Sequence, residues 1–372
     1  MAPRNILVLA EGQMGDLLLL TPALRAMKET YPSASVTVVV LERRSTRAAG
    51  SPMINGPLGS DDDNVLATNS HVDRLFAIDR AGLTSLRGMA RIRAEAAIVR
   101  FLRAQKFDTV LSTFNEDRFL LWAFASGAGL RVGARGEGLT FLLNRTPAIR
   151  KDTNGVRAYY CDLARSIGVR VASERTEYAV PRQALEKADE FLAAHGLMGA
   201  GNIVAVHPGA TGNYKIWPPE RYAEVIDTLQ TSLRAKVIVL CGPQDGKVVE
   251  DVVARARTDV AQADCAGSIG DCAALVKRSA MCLSNDSGPR HLAAAVGTPS
   301  LALFRRHHDR EWGVYDENER CAVMQGGGGC PACPPGECRD LIPEQELYGS
   351  HCLRMIPVVD VVARVQGMLR RA

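Results

Sequence analysis

No stretch of this 372-residue chain approaches the roughly 18 uninterrupted apolar residues that a membrane-spanning helix needs. The opening residues Met1 to Asn5 are short and polar, and the apolar run that follows, Ile6 to Ala10, is too brief for the core of a secretory signal. The expectation is a cytoplasmic protein that still can touch a membrane surface. Charge of one sign is also scarce: the net charge is +4, which gives no reason to expect nucleic acid as a partner. A G-x-G-x-x-G fingerprint is missing too, which argues against a dinucleotide-dependent dehydrogenase. No internal repeat of short period is present, so a solenoid or propeller is excluded.

What is there is the balance of a folded globular chain, 47% hydrophobic and 23% charged, long enough for two domains. Residues 1–180 hold 24 Lys+Arg and 18 Asp+Glu, so +6, while residues 181–372 hold 21 and 23, so −2. The basic first half suits an anionic glycolipid or glycan, or anionic headgroups, although any single arginine equally suits an ordinary solvated helix face.

Strand and helix signals alternate from the start. Ile6 to Ala10, residues 36–41, 72–78 and 109–113 read as buried strands, separated by helical patterns over residues 16–30 and 84–105. Pro22 either kinks the first helix or marks its first turn. A second series begins near residue 182: strands over 203–206, 237–240, 281–284 and 300–304, with helices over 219–233, 268–279 and 289–296. This pattern predicts an α/β protein of two Rossmann-like domains, 1–181 and 182–355, with an apolar tail helix at 356–372. Ligands of such sheets sit at the carboxyl ends of strands, so the loops there hold the candidate residues.

The first loop, Glu11-Gly-Gln-Met-Gly-Asp16, puts Asp16 at a helix N-terminus, where the dipole favours the anion. Such a carboxylate can take a proton from an attacking hydroxyl; from spacing alone, simple helix capping is the plainer role. The second loop carries His207, Gly209, Lys215 and Trp217; a flexible cation after a glycine-rich turn suits a departing diphosphate. In the third, Gly242 precedes Asp245, which suits ribose hydroxyls or an ordinary turn. The fourth, Asn285-Asp286-Ser287-Gly288-Pro289-Arg290-His291, is the most specific: a strand stops, Asp286 and Ser287 cap a helix, Gly288 lets backbone close on an anion, and His291 follows one turn later.

Together, Gly15-Asp16, Thr21-Pro-Ala-Leu24, His207-Pro-Gly209, Lys215 with Trp217-Pro218, Asp286-Ser-Gly288 with His291-Leu-Ala-Ala294, and Gly297-Thr-Pro299 resemble the glycosyltransferase family 9 heptosyltransferases, in order over nearly the whole chain. The resemblance implies a GT-B fold, an acceptor on the N-terminal domain beside Gly15 and Thr21, and an ADP-sugar on the C-terminal domain, with chemistry in a cleft. It implies an inverting transfer that needs no cofactor or metal, with Asp16 as general base and Lys215 on the leaving diphosphate. It further implies a donor held by His207, Gly209, Trp217, Gly242, Asp245, Asp286, Ser287, Gly288 and His291, and a tail helix that packs back on the first domain. The family's usual Gly and Thr/Ser-rich loop after Phe304 is replaced by Arg305-Arg-His-His308, which leaves the donor's base and sugar open. A Pro-, Gly- and Asp-rich insert spans residues 50–64. The other classes considered are a sugar 2-epimerase of the same shape and a non-catalytic nucleotide-sugar-binding protein.

Five of ten cysteines crowd into residues 321–352. Cys330-x2-Cys333-x4-Cys338-x13-Cys352 fits a structural zinc site, with an iron–sulfur cluster or free thiols as the other readings.

Overall fold

The structure is a computed structural model that describes residues 2–42, 64–148, 155–306, 320–326, 348–349 and 351–371. The described chain divides into two compact units, Met1–Thr176 and Glu177–Ala372, a few residues before the boundary expected at 181/182.

In the first unit, β1 (Asn5–Glu11) leads into α1 (Met14–Thr30), and β2 (Ser35–Glu42) follows. Then come β3 (Arg74–Asp79), α2 (Arg80–Ser85), α3 (Gly88–Ala104), β4 (Thr109–Ser112), α4 (Asp117–Ala125), β5 (Leu130–Val132) and α5 (Val156–Ser166). The strands lie in the order β3-β2-β1-β4-β5 and all pair parallel; Ile6 of β1 faces Val36 on one side and Thr109 on the other. β1 is buried from Ile6 to Glu11 because helices cover both faces of a parallel sheet, which is why it reads as a continuous apolar run. α1 continues through Pro22 rather than starting there.

The second unit runs α6 (Arg182–Ala194), β6 (Ile203–His207), α7 (Pro219–Thr231), β7 (Lys236–Cys241), α8 (Gly246–Val253), β8 (Ala261–Asp264) and α9 (Ile269–Arg278). It continues with β9 (Met281–Asn285), α10 (Gly288–Val296), β10 (Ser300–Phe304), β11 (Cys321–Gln325), α11 (His351–Arg354) and α12 (Val358–Leu369). Its sheet order is β11-β10-β9-β6-β7-β8, again parallel throughout. The chain leaves β6 toward β7 and returns on the other side at β9, so the loops after β6 and β9 flank the switch point where such sheets hold ligands.

The tail helix α12 contributes to the second unit's core. Val361, Val365 and Met368 of α12 lie in the same core as Trp217, Val225 and Leu229, so its apolar stripe is buried within the second unit. Arg221 of α7 pins the approach to α12 by donating to the carbonyls of Arg354 and Ile356.

Candidate active site

In the first unit, Asp16 occupies the first turn of α1, partly exposed, and its Oδ2 accepts the Gln13 N–H at 2.7 Å. Gly12, at φ +135°, packs against that carboxylate: a Cβ there would lie 2.2 Å from Oδ2. The loop thus needs glycine on two counts, the left-handed backbone and the close approach. Gly15 follows, also partly exposed. Thr21 is fully buried, so it offers no surface to an acceptor. Its Oγ1 donates to the Leu18 carbonyl at 2.8 Å, the carbonyl that Pro22 cannot serve because it lacks an N–H. Glu11, buried at the end of β1, is ion-paired with Arg80, which also reaches Glu116 at 3.4 Å. This bridge ties together the loops after β1, β3 and β4, and the motifs carry no sign of it.

In the second unit, four loops converge at the switch point. Asn285, the last residue of β9 and 0% exposed, uses its whole amide. Its Oδ1 accepts from the Trp217 N–H at 3.0 Å and the Tyr222 hydroxyl at 2.9 Å, and its Nδ2 donates to the carbonyls of Pro208 at 2.6 Å and Gly209 at 3.3 Å. Asn285 stands beside the Asp-Ser-Gly motif, yet sequence reasoning missed its part, because its partners lie 63 to 77 residues away. Burial pushes the Tyr222 hydroxyl well above its ordinary pKa, so it remains a donor at any working pH.

Lys215 ends the turn before α7, and its Nζ lies 3.1 Å from Asp286 Oδ2. His207, the last residue of β6, places Nε2 2.9 Å from Asp245 Oδ2 and Nδ1 3.3 Å from Ser287 Oγ. Asp245 also accepts the Gly242 N–H at 3.0 Å. Burial works against its charge, but the His207 hydrogen bond and charge, together with the Gly242 N–H, bring its pKa net below the usual carboxylate value. Gly209 and Gly242 sit against the same carboxylate: a Cβ would meet Oδ1 at 2.0 Å and Oδ2 at 2.5 Å, respectively. Gly288 opens α10, with Ser287 as its N-cap residue and Gly297, at φ +81°, closing it.

His291 is buried one turn into α10. Desolvation first, then the charges of Arg290 and Lys215, hold its pKa well below the ordinary imidazole value, so it is neutral. The buried Arg290 guanidinium stands over the Phe304 ring at 4.7 Å, and Arg305, the first residue of the unusual Arg-Arg-His-His segment, stacks on Tyr214 at 4.5 Å. Tyr214 is the neighbour of Lys215, so this departure packs against the same loop. Trp217 goes elsewhere: its ring is fully buried, edge-on to Tyr222 at 5.1 Å, a core side chain.

The structure therefore brings His207, Asp245 and Ser287 together, and Lys215 with Asp286, while Thr21 and Trp217 act as internal supports. Of the cysteine cluster, Cys330, Cys333 and Cys338 lie outside the described residues, as do His307 and His308 and nearly all of the insert. Cys352 is described and buried, its Sγ accepting the Arg306 N–H at 3.5 Å. Among the described residues, no group of three or more His, Cys, Asp or Glu is disposed to hold a metal.

The sequence pattern of Glycosyltransferase family 9 (heptosyltransferase) matches residues 96–332. The chain is 23% identical to Lipopolysaccharide heptosyltransferase 3 of Escherichia coli K12 over 375 aligned residues, 95% of each chain. The crystal structure of a family 9 glycosyl transferase from Veillonella parvula superposes with a TM-score of 0.76 at 22% identity, covering 99% of this chain and 98% of the other. The Escherichia coli ADP-heptose LPS heptosyltransferase II superposes with a TM-score of 0.71 at 18% identity, covering 99% of each. These similarities show the GT-B fold.

Proposed function

The chain belongs to glycosyltransferase family 9, the heptosyltransferase family, and on that premise we propose that it moves a heptose from an ADP-sugar to a lipopolysaccharide core or related glycan, with inversion and without a catalytic metal. The observation that carries this reading is the second unit's switch point. There Lys215, Ser287 and the N–H groups at the start of α10 gather where a diphosphate needs counter-charge. The reacting hydroxyl loses its proton to Asp16, its oxygen bonds the anomeric carbon on the face opposite the donor bond, and the nucleoside diphosphate leaves with the electron pair. Lys215, kept near by Asp286, offsets the charge that develops on that leaving group. Gly12 and the Gln13 N–H keep the Asp16 carboxylate at the N-terminus of α1.

Asp16→Asn should cut turnover by roughly 10²–10⁴-fold while donor affinity stays near wild type; unchanged turnover would remove Asp16 from the chemistry. Lys215→Ala should weaken both. Calorimetry of ADP-heptose, ADP, UDP, GDP and their hexose conjugates, with chelator present, tests the donor class. Preference for UDP or GDP would move the enzyme to another glycan, and no binding of any of them would end the reading.

Peripheral contact with the inner face of the cytoplasmic membrane belongs to the same proposal. No described helix is long and apolar enough to cross a membrane. The first unit exposes Met89 and Ile92 on α3, Leu121 and Phe124 on α4, and Phe141 in the turn after β5. α3 and α4 meet through Glu95, which accepts the Trp122 indole N–H at 2.9 Å and pairs with Arg118 at 3.3 Å. Arg91 and Arg93, exposed beside Ile92, add the positive charge that anionic headgroups attract. Replacing Leu121 and Phe124 with Glu should release the protein from phosphatidylglycerol vesicles in a sedimentation assay. The cysteine run is proposed as a structural zinc site outside the chemistry, to be checked by metal content and by the effect of chelator on Tm.

A further inference from the structure

Behind the N-terminus of α10, a line of three side chains runs inward. Ser287 Oγ faces His207 Nδ1 at 3.3 Å, and His207 Nε2 faces Asp245 Oδ2 at 2.9 Å. His207 and Asp245 are 5% and 8% exposed, while Ser287 stands at the surface end. Asp245 has no room to turn away, since Gly209 and Gly242 press on its two oxygens and the Gly242 N–H bonds one of them. A carboxylate so enclosed is held as a partner for His207. As an anion it takes Nε2–H, which leaves Nδ1 as the atom whose proton can come and go.

The Ser287 hydroxyl has two inward acceptors within reach, His207 Nδ1 and, at 3.4 Å, the Asn285 carbonyl. Turned inward, it shows only lone pairs to the outside, which repel a phosphate oxygen. For Ser287 to donate outward, Oγ is best held from behind by a donor, and among its described partners a protonated Nδ1 of His207 supplies one. We propose that Asp245, His207 and Ser287 form a proton-linked relay, in which Ser287 O–H meets an arriving nucleoside diphosphate while His207 takes up a proton from solvent behind it. This inference rests on the donor-site reading above. The relay supplies one buried positive charge to a site without a catalytic metal, and Asp245 keeps that charge paired. Ser287 touches the ligand; His207 and Asp245 are positioning residues. Charged or titratable groups on the surrounding elements include Lys215 and Asp286, paired with each other, Arg290 and His291 on α10, Cys241 at the end of β7 with Asp264 and Cys265 beside it, Cys282 on β9, and Lys247, Glu250 and Asp251 on α8. His291 is held neutral by its burial and so does not share the added charge.

The test is calorimetry of ADP binding to the full chain at pH 8, in two buffers of different ionisation enthalpy. At that pH the nucleotide's own phosphates, with a second pKa near 6, are already fully ionised. Wild type should take up about one proton per ADP, and its affinity should fall as pH rises, because binding that consumes a proton is weakened when protons are scarce. Ser287→Ala should lose the proton uptake and about tenfold or more in affinity, as expected for a hydrogen bond to a charged group. Ser287→Thr should restore both. His207→Gln and Asp245→Asn should also lose the uptake, and His207→Gln should cost nothing further in the Ser287→Ala background, since the two act in series. A merely structural His207–Asp245 pair would lower Tm, leave proton uptake unchanged and add to Ser287→Ala. ADP binding without proton uptake, or uptake that survives in Ser287→Ala, overturns the relay alone. Absence of binding by ADP, UDP and GDP alike overturns the donor-site reading and the relay with it.

Discussion

Single residues in this protein repair what their neighbours break. Pro22 in the middle of α1 removes the N–H that would serve Leu18, and the Thr21 hydroxyl takes its place. Thr21→Val keeps the shape and leaves a buried carbonyl unserved, so urea unfolding should show a loss of about 1–3 kcal/mol. Asn285 does similar service for the loop after β6, bonding it at Pro208, Gly209 and Trp217 and holding the Tyr222 hydroxyl of α7; Asn285→Leu should cost at least as much, and should also lower nucleotide affinity because the loops after β6 and β9 come apart. Titration adds a pH signature. The unfolded chain protonates histidine near the ordinary value of 6.5, while folded His291 resists the proton because of burial and the nearby Arg290 and Lys215 charges. Between the two values the unfolded state binds more protons, so stability falls as pH drops below about 6.5. Asp245 adds a second loss: its stabilisation is present above the unfolded carboxylate value of roughly 3.9 and disappears as pH falls through its lower folded value. His291→Gln should remove the first limb from a plot of urea midpoint against pH and leave the second.

At the scale of elements, the glycines after strands decide where carboxylates stand. Gly12→Ala meets both an unfavourable φ of +135° and the Asp16 carboxylate, so the carboxylate must move while the sheet stays intact. Turnover should drop on the order of 100-fold, the effect of a displacement near one ångström, with circular dichroism unchanged. Element boundaries also show where pattern reading works. β1, β2, β6 and β9 were legible as apolar runs because a parallel sheet covered on both faces demands them. β8, Ala-Gln-Ala-Asp at the sheet edge, was not, since an edge strand can remain polar and still pair with β7. β5 has three residues, too few for any period to emerge.

At the scale of the whole molecule, the chain is two units of related topology, each with its own core. The second core includes α12. Truncation before Val358 would strip Val361, Val365 and Met368 from it, where burying one such side chain contributes roughly 1.5–3 kcal/mol. The truncated chain should therefore lose a thermal transition or show it at much lower temperature, whereas a tail belonging to the first unit would leave the second unit's transition in place.

The sequence by itself determined the alternation of strands and helices, hence the two parallel sheets, and the loops at strand ends where the chemistry lies. Those follow from local spacing, which the chain carries residue by residue. It left Asp16 between base and cap, Asp245 between ribose and turn, and Trp217 and Thr21 among the contacts. Tertiary structure placed Trp217 and Thr21 inside, enclosed Asp245 between two glycines, and set His207 within reach of both Asp245 and Ser287. It alone could do so, because His207 and Asp245 are 38 residues apart, and His207 and Ser287 are 80 apart. Such pairs meet only when β6, β7 and β9 lie side by side, and strand order is a property of the packed sheet that no local pattern contains.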